Sequence, residues 1–423
     1  MNEAWIATLA SVVARLGSWL DRYGEVSYDH QSFFAGPLGR GAKTLYYRRP
    51  LLGTAAVAPM VFCEAFLPSA RRLFWKPQRF PIADAHYAMG FAFLAGMHGE
   101  DAHYRRAVHF LEILEKTRCS RYDDYCWGYP FDWQTRIGTI AEGTPLITTL
   151  PYVYEAFSQV YAMDSDSRWL RIMESIAHHA FTSYRDLKIG PGAASCAYTP
   201  AKDDKCGVIN ASAYRAFLLT KAGIELSEPR YLDVARRNLN YVLNSQNADG
   251  SWYYATDGER NFVDHFHTCF VLKNVVKIEQ LTRWPQCRSA IEQGIAYYAK
   301  RLFDADGLPL PFCKRPRLTV YRRELYDYAE CINLAVLLYG QFPELDAVLS
   351  KVVADLMARW QKPDGSLRSR ELMMGWDNVP MHRWGQAQMF RALAFYVRET
   401  FGKTEDGRRK TEIRATTPVL CPR

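Results

Sequence analysis

The pair Asp-Gly recurs late in the chain in SQNADGSW, FDADGLPL and WQKPDGSL, with the aspartates at 249, 306 and 364, a spacing of 57 and then 58 residues. Self-similarity at one period marks a repeated supersecondary unit. The segments before these turns, such as YLDVARRNLNYVLNSQ (231–246) and LDAVLSKVVADLMARWQ (345–361), carry apolar residues at helical spacing with charge along one face. Helices of that kind cover a core from outside. The segments after the turns, 263–281, 322–340 and 381–399, are apolar nearly all round and belong inside. The same alternation runs backwards through 167–186 with 209–223, 101–118 with 144–163, and 54–73 with 83–98. Six such hairpins predict an all-α chain folded as an (α/α)6 toroid over residues 1–401, with a short N-terminal helix and a disordered basic tail at 402–423.

The rival architecture is an open α-solenoid, which needs the same pattern. Polar residues gathered at the starts of the inner helices favour closure, because a toroid brings every outer-to-inner loop to one mouth. That mouth is expected to collect 84–87, 121–145, 202–210, 261–267, 321–330 and 376–384, segments rich in Tyr, Trp, Asp, Glu, His and Arg.

Composition narrows the function classes. Hydrophobic residues make up 48% and charged residues 23%, ordinary for a chain that buries a large core. Aromatics reach 14%, and flat faces with polar handles suit a groove for sugars. The net charge of +8 favours anionic partners such as uronate polymers. No zinc finger, RNA-recognition signature or long basic stripe is present, so nucleic acid is not an expected partner. The N-terminus has an acidic residue before its apolar part and does not read as a signal peptide. The longest apolar stretch, LLGTAAVAPMVFCEAFLP, is broken by Pro59 and Glu64 and falls short of a bilayer span. A soluble cytoplasmic protein without a transmembrane segment is therefore expected, with ten reduced cysteines. The oligomeric state is not legible.

In RNFVDHFHTCFVL (260–272), His265 and His267 point about 200° apart on a helix and cannot share one metal. Asp264 and His267, three apart, share a face. Asp264 also reads as a helix-start carboxylate, with Asn261 as N-cap. No metal-ligand signature occurs elsewhere, so neither metal nor cofactor is expected. Asp132, between Phe131 and Trp133, is a carboxylate in partly apolar surroundings, the setting that raises a pKa toward general-acid use. Thr144 and Pro145 read as the start of the next inner helix. Tyr326, Tyr328 and Glu330 start the fifth inner helix and offer a proton donor and acceptor. Arg323 and Arg383 are candidate clamps for a carboxylate. Trp133, Trp376, His86 and His382 complete the expected lining.

SQNADGSW also resembles the Q-x-x-D-G-x-W turn of triterpene-cyclase and prenyltransferase-like toroids; the cyclase acid motif D-x-D-D is absent. LGRGAKTLYYRRPLLG (38–53), FPIADAHYAMGFAFL (80–94), GYPFDWQ (128–134), SQNADGSW, DHFHTCFVL and RWGQAQMFRAL (383–393) together resemble a bacterial six-hairpin family associated with exopolysaccharide and surface-polysaccharide biosynthesis. The resemblance implies a toroid in a carbohydrate context. The expected function is acid/base chemistry on a glycan, with an anionic one favoured. In an epimerase or lyase, His267 or Tyr328 would move the proton and Arg383 or Arg323 would hold the carboxylate. In a hydrolase, Asp132 would pair with Asp264 or Glu330. A non-catalytic glycan-binding or assembly protein and an isoprenoid-handling toroid are the alternatives.

Overall fold

The computed structural model describes residues 3–98, 101–315 and 319–400. The tail expected at 402–423 lies outside the described residues. Helix α1 (Glu3–Tyr23) is followed by a connection, 24–80, that carries α2 (Ser32–Ala35), α3 (Pro37–Arg48), α4 (Pro50–Phe66) and α5 (Arg71–Phe74). Next come α6 (Pro81–His98), α7 (Asp101–Lys116), α8 (Leu150–Asp164), α9 (Ser167–Thr182), α10 (Ile209–Glu225) and α11 (Pro229–Asn244). The chain ends with α12 (His265–Thr282), α13 (Pro285–Arg301), α14 (Leu325–Leu337), α15 (Pro343–Asp355) and α16 (387–400).

The even-numbered helices from α6 to α16 form an inner ring. Each packs on the next, and the turn at 382–386 that leads into α16 touches both α14 and α6. Gly90 of α6 makes that last junction possible, since a Cβ there would lie 2.6 Å from the Phe390 ring of α16. The ring is therefore closed, and the fold is the (α/α)6 toroid expected from the repeat. Helices α7, α9, α11, α13 and α15 cover it, and α11, α13 and α15 each begin with proline, whose fixed φ and missing N–H suit a first helical turn.

The sixth outer helix is α1, not 54–73. Gly250, at φ +90°, lies with no room for a side chain against the Gln293 backbone of α13. Gly365, at φ +93°, stands in the same way against Arg15 of α1, where a Cβ would be 2.6 Å from a backbone oxygen. Each Asp-Gly turn thus rests on the next outer helix, and the third one rests on α1. Arg22 donates to the Asp364 carbonyl at 2.8 Å from the same helix. Leu9, Val12, Val13, Leu16, Trp19 and Leu20, at helical spacing, face the common core. The turns themselves are structural, as the resemblance implied: Asp249 Oδ1 accepts from Ser251 N and Oγ, and Asp364 Oδ1 repeats this with Ser366.

The segment expected as an outer helix instead folds back on α3, around a small separate core of Phe33, Ala42 and Met60. Its apolar periodicity is real but serves that private core. The hairpin α3–α4 is tied to the mouth loops at two places, Arg40 to Asp132 and Glu64 to Arg370.

Short strands stiffen the mouth. They are the hairpins β1 (Trp133–Thr135) with β2 (Gly138–Ile140) and β3 (Asp186–Gly190) with β4 (Ala193–Cys196), the pair β5 (Val263–Asp264) with β6 (Phe312–Lys314), and the sheet of β7 (Tyr321–Glu324), β8 (Arg370–Leu372) and β9 (Trp376–Asp377). Helix α8 starts at Leu150 and not at Thr144, because Pro145 bridges to Gly128 and Leu146 N donates to Trp127 O. No described helix is long and apolar enough to cross a membrane.

Candidate active site

Asp264 ends β5 in extended backbone and is itself the N-cap of α12, one carboxylate oxygen accepting from His267 N at 3.0 Å. Asn261, expected in that role, lies three residues before the N-cap. The other oxygen of Asp264 binds His267 Nδ1 at 2.6 Å. Asp264 is buried while the His267 side chain keeps 22% of its surface. A carboxylate oxygen accepts, so Nδ1 donates to Asp264 and Nε2 is the nitrogen turned away from it. Tyr254, Phe262, Phe266 and Phe270 surround the imidazole at 4.4–6.2 Å between ring centroids. His265 turns to the opposite side, where Tyr298 of α13 meets its Nε2 at 2.7 Å. Burial holds that imidazole's pKa down to about 3.

A second wall joins Tyr326 and Arg383 to residues that the sequence reading missed, Trp384, Asp29, His30 and Tyr129. Trp384 stacks on Tyr326 at 4.5 Å and meets Phe266 edge-on. Its other neighbour is His30, at 4.2 Å. Arg383 grips Asp29 through Nε and Nη2 at 2.9 and 2.5 Å and donates to Tyr129 Oη at 3.0 Å. Burial pushes the Asp29 pKa up, but Arg383 and His30 outweigh it and hold the carboxylate well below its usual range. Burial likewise lowers His30 to about 4. Asp29 and His30 lie in the α1–α6 connection, which carries no hairpin period, and only the pairing with Arg383 marks them.

The axis below the mouth is polar. Tyr152 and Tyr214 share a hydrogen bond at 2.7 Å, and Lys273 pairs with buried Glu330. His86 is fully buried beside Tyr152, with both ring nitrogens unpartnered among the described residues. Burial lowers its pKa well below the usual value, and Arg391, Lys273 and Lys277 add to this. A cavity of about 280 Å3 opens at the other end of the axis, lined by Glu155, Lys221, Lys273, Lys277, Arg391 and Arg398 among others. Lys277 binds Glu155 at 2.7 Å, yet burial brings its pKa down to about 8. Arg391, buried, has Nε and Nη1 without partners among the described residues.

The remaining expected site residues are engaged elsewhere. Asp132 is bound by Arg40 and by the Glu142 amide, which fastens a rim loop. Tyr328 points outward and donates to Asp355 of α15 at 2.7 Å. His382 is buried between α1 and α6, held by Tyr87 Oη and Gly24 O. Arg323 is neutralised by Asp304 and Glu371. Trp376 packs on Trp360 and under Arg368 at the outer rim. These positions share the mouth's sequence segments, but their side chains are taken up by partners in the rim loops, the rim sheet and neighbouring helices. Trp133 stays at the rim, meeting Tyr129 and Tyr198. The structure brings together Asp264, His267 and Tyr326, with Arg383 already paired behind Trp384.

No family model matches the sequence, and no curated protein matches it. Solved structures do resemble it. Cellobiose 2-epimerase from Bacillus thermoamylovorans superimposes with a TM-score of 0.60 at 8% identity, over 77% of this chain and 88% of that one. An unsaturated glucuronyl hydrolase specific for heparin gives 0.55 at 12% identity, over 79% and 88%. An α-1,6-mannanase from Salegentibacter gives 0.56 at 10%, over 76% and 90%. At such identities the likeness is one of fold.

Proposed function

We propose that the chain is an enzyme that acts on a sugar or glycan at the mouth, with His267 as the group that moves a proton. The observation carrying this is the Asp264–His267 pair, whose buried carboxylate fixes one tautomer and leaves Nε2 among aromatic rings. Such an imidazole takes a proton at Nε2, and the imidazolium formed is stabilised by Asp264. Tyr254 and Tyr326 keep their phenolic protons because burial raises their pKa values, so both can donate to a developing oxyanion.

Proton transfer at a sugar carbon beside a carbonyl or carboxylate, as in epimerisation or elimination, fits this set best. Hydrolysis needs two carboxylates free to work across one bond. Here Asp132 is held by Arg40, Glu330 by Lys273, and Asp264 holds His267. A neutral sugar suits the mouth better than a uronate, since Arg383 and Arg323 already carry carboxylates. The polar axis speaks against an isoprenoid chamber. The names of the fold's neighbours, a sugar epimerase, a glucuronyl hydrolase and a mannanase, support a carbohydrate substrate. The sequence resemblance supports surface-polysaccharide assembly as its setting.

The test is deuterium incorporation at carbon, read by NMR after incubation with a panel of sugars and oligosaccharides in D2O. Wild type is expected to exchange at least one of them, and His267→Ala none. If no sugar exchanges, and cells carrying Asp264→Asn or His267→Ala make a polymer of unchanged composition and yield, catalysis at this mouth is refuted. Retained oligosaccharide binding in those variants would then favour the glycan-binding reading.

A further inference from the structure

The function above leaves the α3–α4 hairpin unused, and its outward face is built the wrong way round for water. Along α4, Leu51, Ala55, Ala58, Phe62 and Phe66 recur at helical spacing, and all are exposed. Leu51 is 90%, Phe62 56% and Phe66 52% accessible, and the two phenylalanine rings touch at 5.0 Å. Leu52 and Pro59 adjoin the stripe, and Leu73, 79% accessible, follows it. The opposite face is used up: Gly53 lies directly against the Tyr46 backbone of α3, and Met60 fills the hairpin's own core. An apolar face of this continuity on one helix marks an interaction surface.

Charge says which kind. Arg48 and Arg49 precede the stripe, Arg72 and Lys76 follow it, and all four are exposed. The only acidic residue from 37 to 76 is Glu64, which is already bound by Arg370. A second copy of this face would bring like charges together, whereas an anionic bilayer meets both the apolar stripe and its basic ends. Helix α4 is about 25 Å long, enough to lie along a membrane surface. We propose that the α3–α4 hairpin is an interfacial anchor that lays α4 flat on an anionic phospholipid membrane. Because the hairpin is tied to Asp132 and Arg370, docking holds the mouth loops at the level of the headgroups. The inference does not depend on the chemistry at His267.

Flotation of the full chain with vesicles tests it. Wild type is expected to float with phosphatidylcholine vesicles containing phosphatidylglycerol, to stay behind with phosphatidylcholine alone, and to be released by salt. Leu51→Ser with Phe62→Ser should weaken binding by roughly tenfold or more. Arg48→Gln and Arg72→Gln should each cost about fivefold. Thermal melts check that the variants fold, and Leu73→Ser, outside α4, repeats the apolar test if the double variant does not. No binding of wild type at low salt overturns the proposal, as does binding indifferent to the apolar substitutions. A dimer in vesicle-free solution that these substitutions dissociate also overturns it, in favour of a second copy.

Discussion

The two ends of the toroid axis are made from the same six helices yet differ in kind. At the mouth, aromatic rings surround an imidazole with one nitrogen held and the other without a partner among the described residues. At the other end, an open cavity of about 280 Å3 is lined by cations whose charges are mostly spent on Glu155, Glu225, Glu330 and Glu399. Cations near the last turns of inner helices also answer the partial negative charge of helix C-termini. Charge alone would choose the cationic cavity as the functional site. The proposed chemistry places the proton carrier at the mouth, where the Asp264–His267 pair offers a fixed partner beside a partly exposed imidazole.

Breaking the lower end should cost stability most. Lys273→Met leaves Glu330 charged, buried and unpaired, and should lower the unfolding free energy by about 3–5 kcal/mol in urea melts. Adding Glu330→Gln should recover most of that loss, and a double variant as weak as the single would break the assignment.

Acid comes next. The imidazoles of His265 and His382, with folded pKa values lowered by burial to about 3 and about 4, stay neutral in the fold but take up protons once unfolded. Their contribution is therefore present above the ordinary histidine value and lost as pH falls below it. Between pH 7 and pH 5 each should cost about 2 kcal/mol. His265→Asn should flatten the fall in melting temperature over that range, and an unchanged slope would contradict the burial.

At the mouth the stability effects should be smaller. Asp264→Ala removes the N-cap of α12 and should cost about 1 kcal/mol. His267→Ala, at a partly exposed side chain, should cost less than that. Smallest of all is Arg391→Gln, within about 0.5 kcal/mol of wild type, since it removes a buried charge that no carboxylate binds directly. A loss of several kcal/mol there would mean that the cavity's charges act as one network.

The fold was legible because Asp-Gly turns need glycine where φ is positive and where the next outer helix leaves no room, which writes the period into the chain. The place of α1 was not, since its charged face resembles any surface helix and its neighbour is revealed by three-dimensional contacts, Gly365 against Arg15 and Asp364 with Arg22. The Asp264–His267 contact was legible from a spacing of three, although Asp264 reaches the imidazole as the N-cap of α12 and not from within a helical turn. Tyr328, His382 and Arg323 misled because a mouth segment presents side chains in every direction, and sequence position does not say which of them point inward. Asp29 and His30 were illegible for another reason: they reach the site across more than 350 residues, through Arg383.

The most direct measurement compares the two ends in one cell strain, by sugar composition and stereochemistry of the glycan made with wild type, His267→Ala and Arg391→Gln. The account predicts that His267→Ala gives the glycan of a strain lacking the protein, while Arg391→Gln gives that of wild type. The reverse pattern, an effect of Arg391→Gln and none of His267→Ala, would move the active site to the cationic cavity and contradict it.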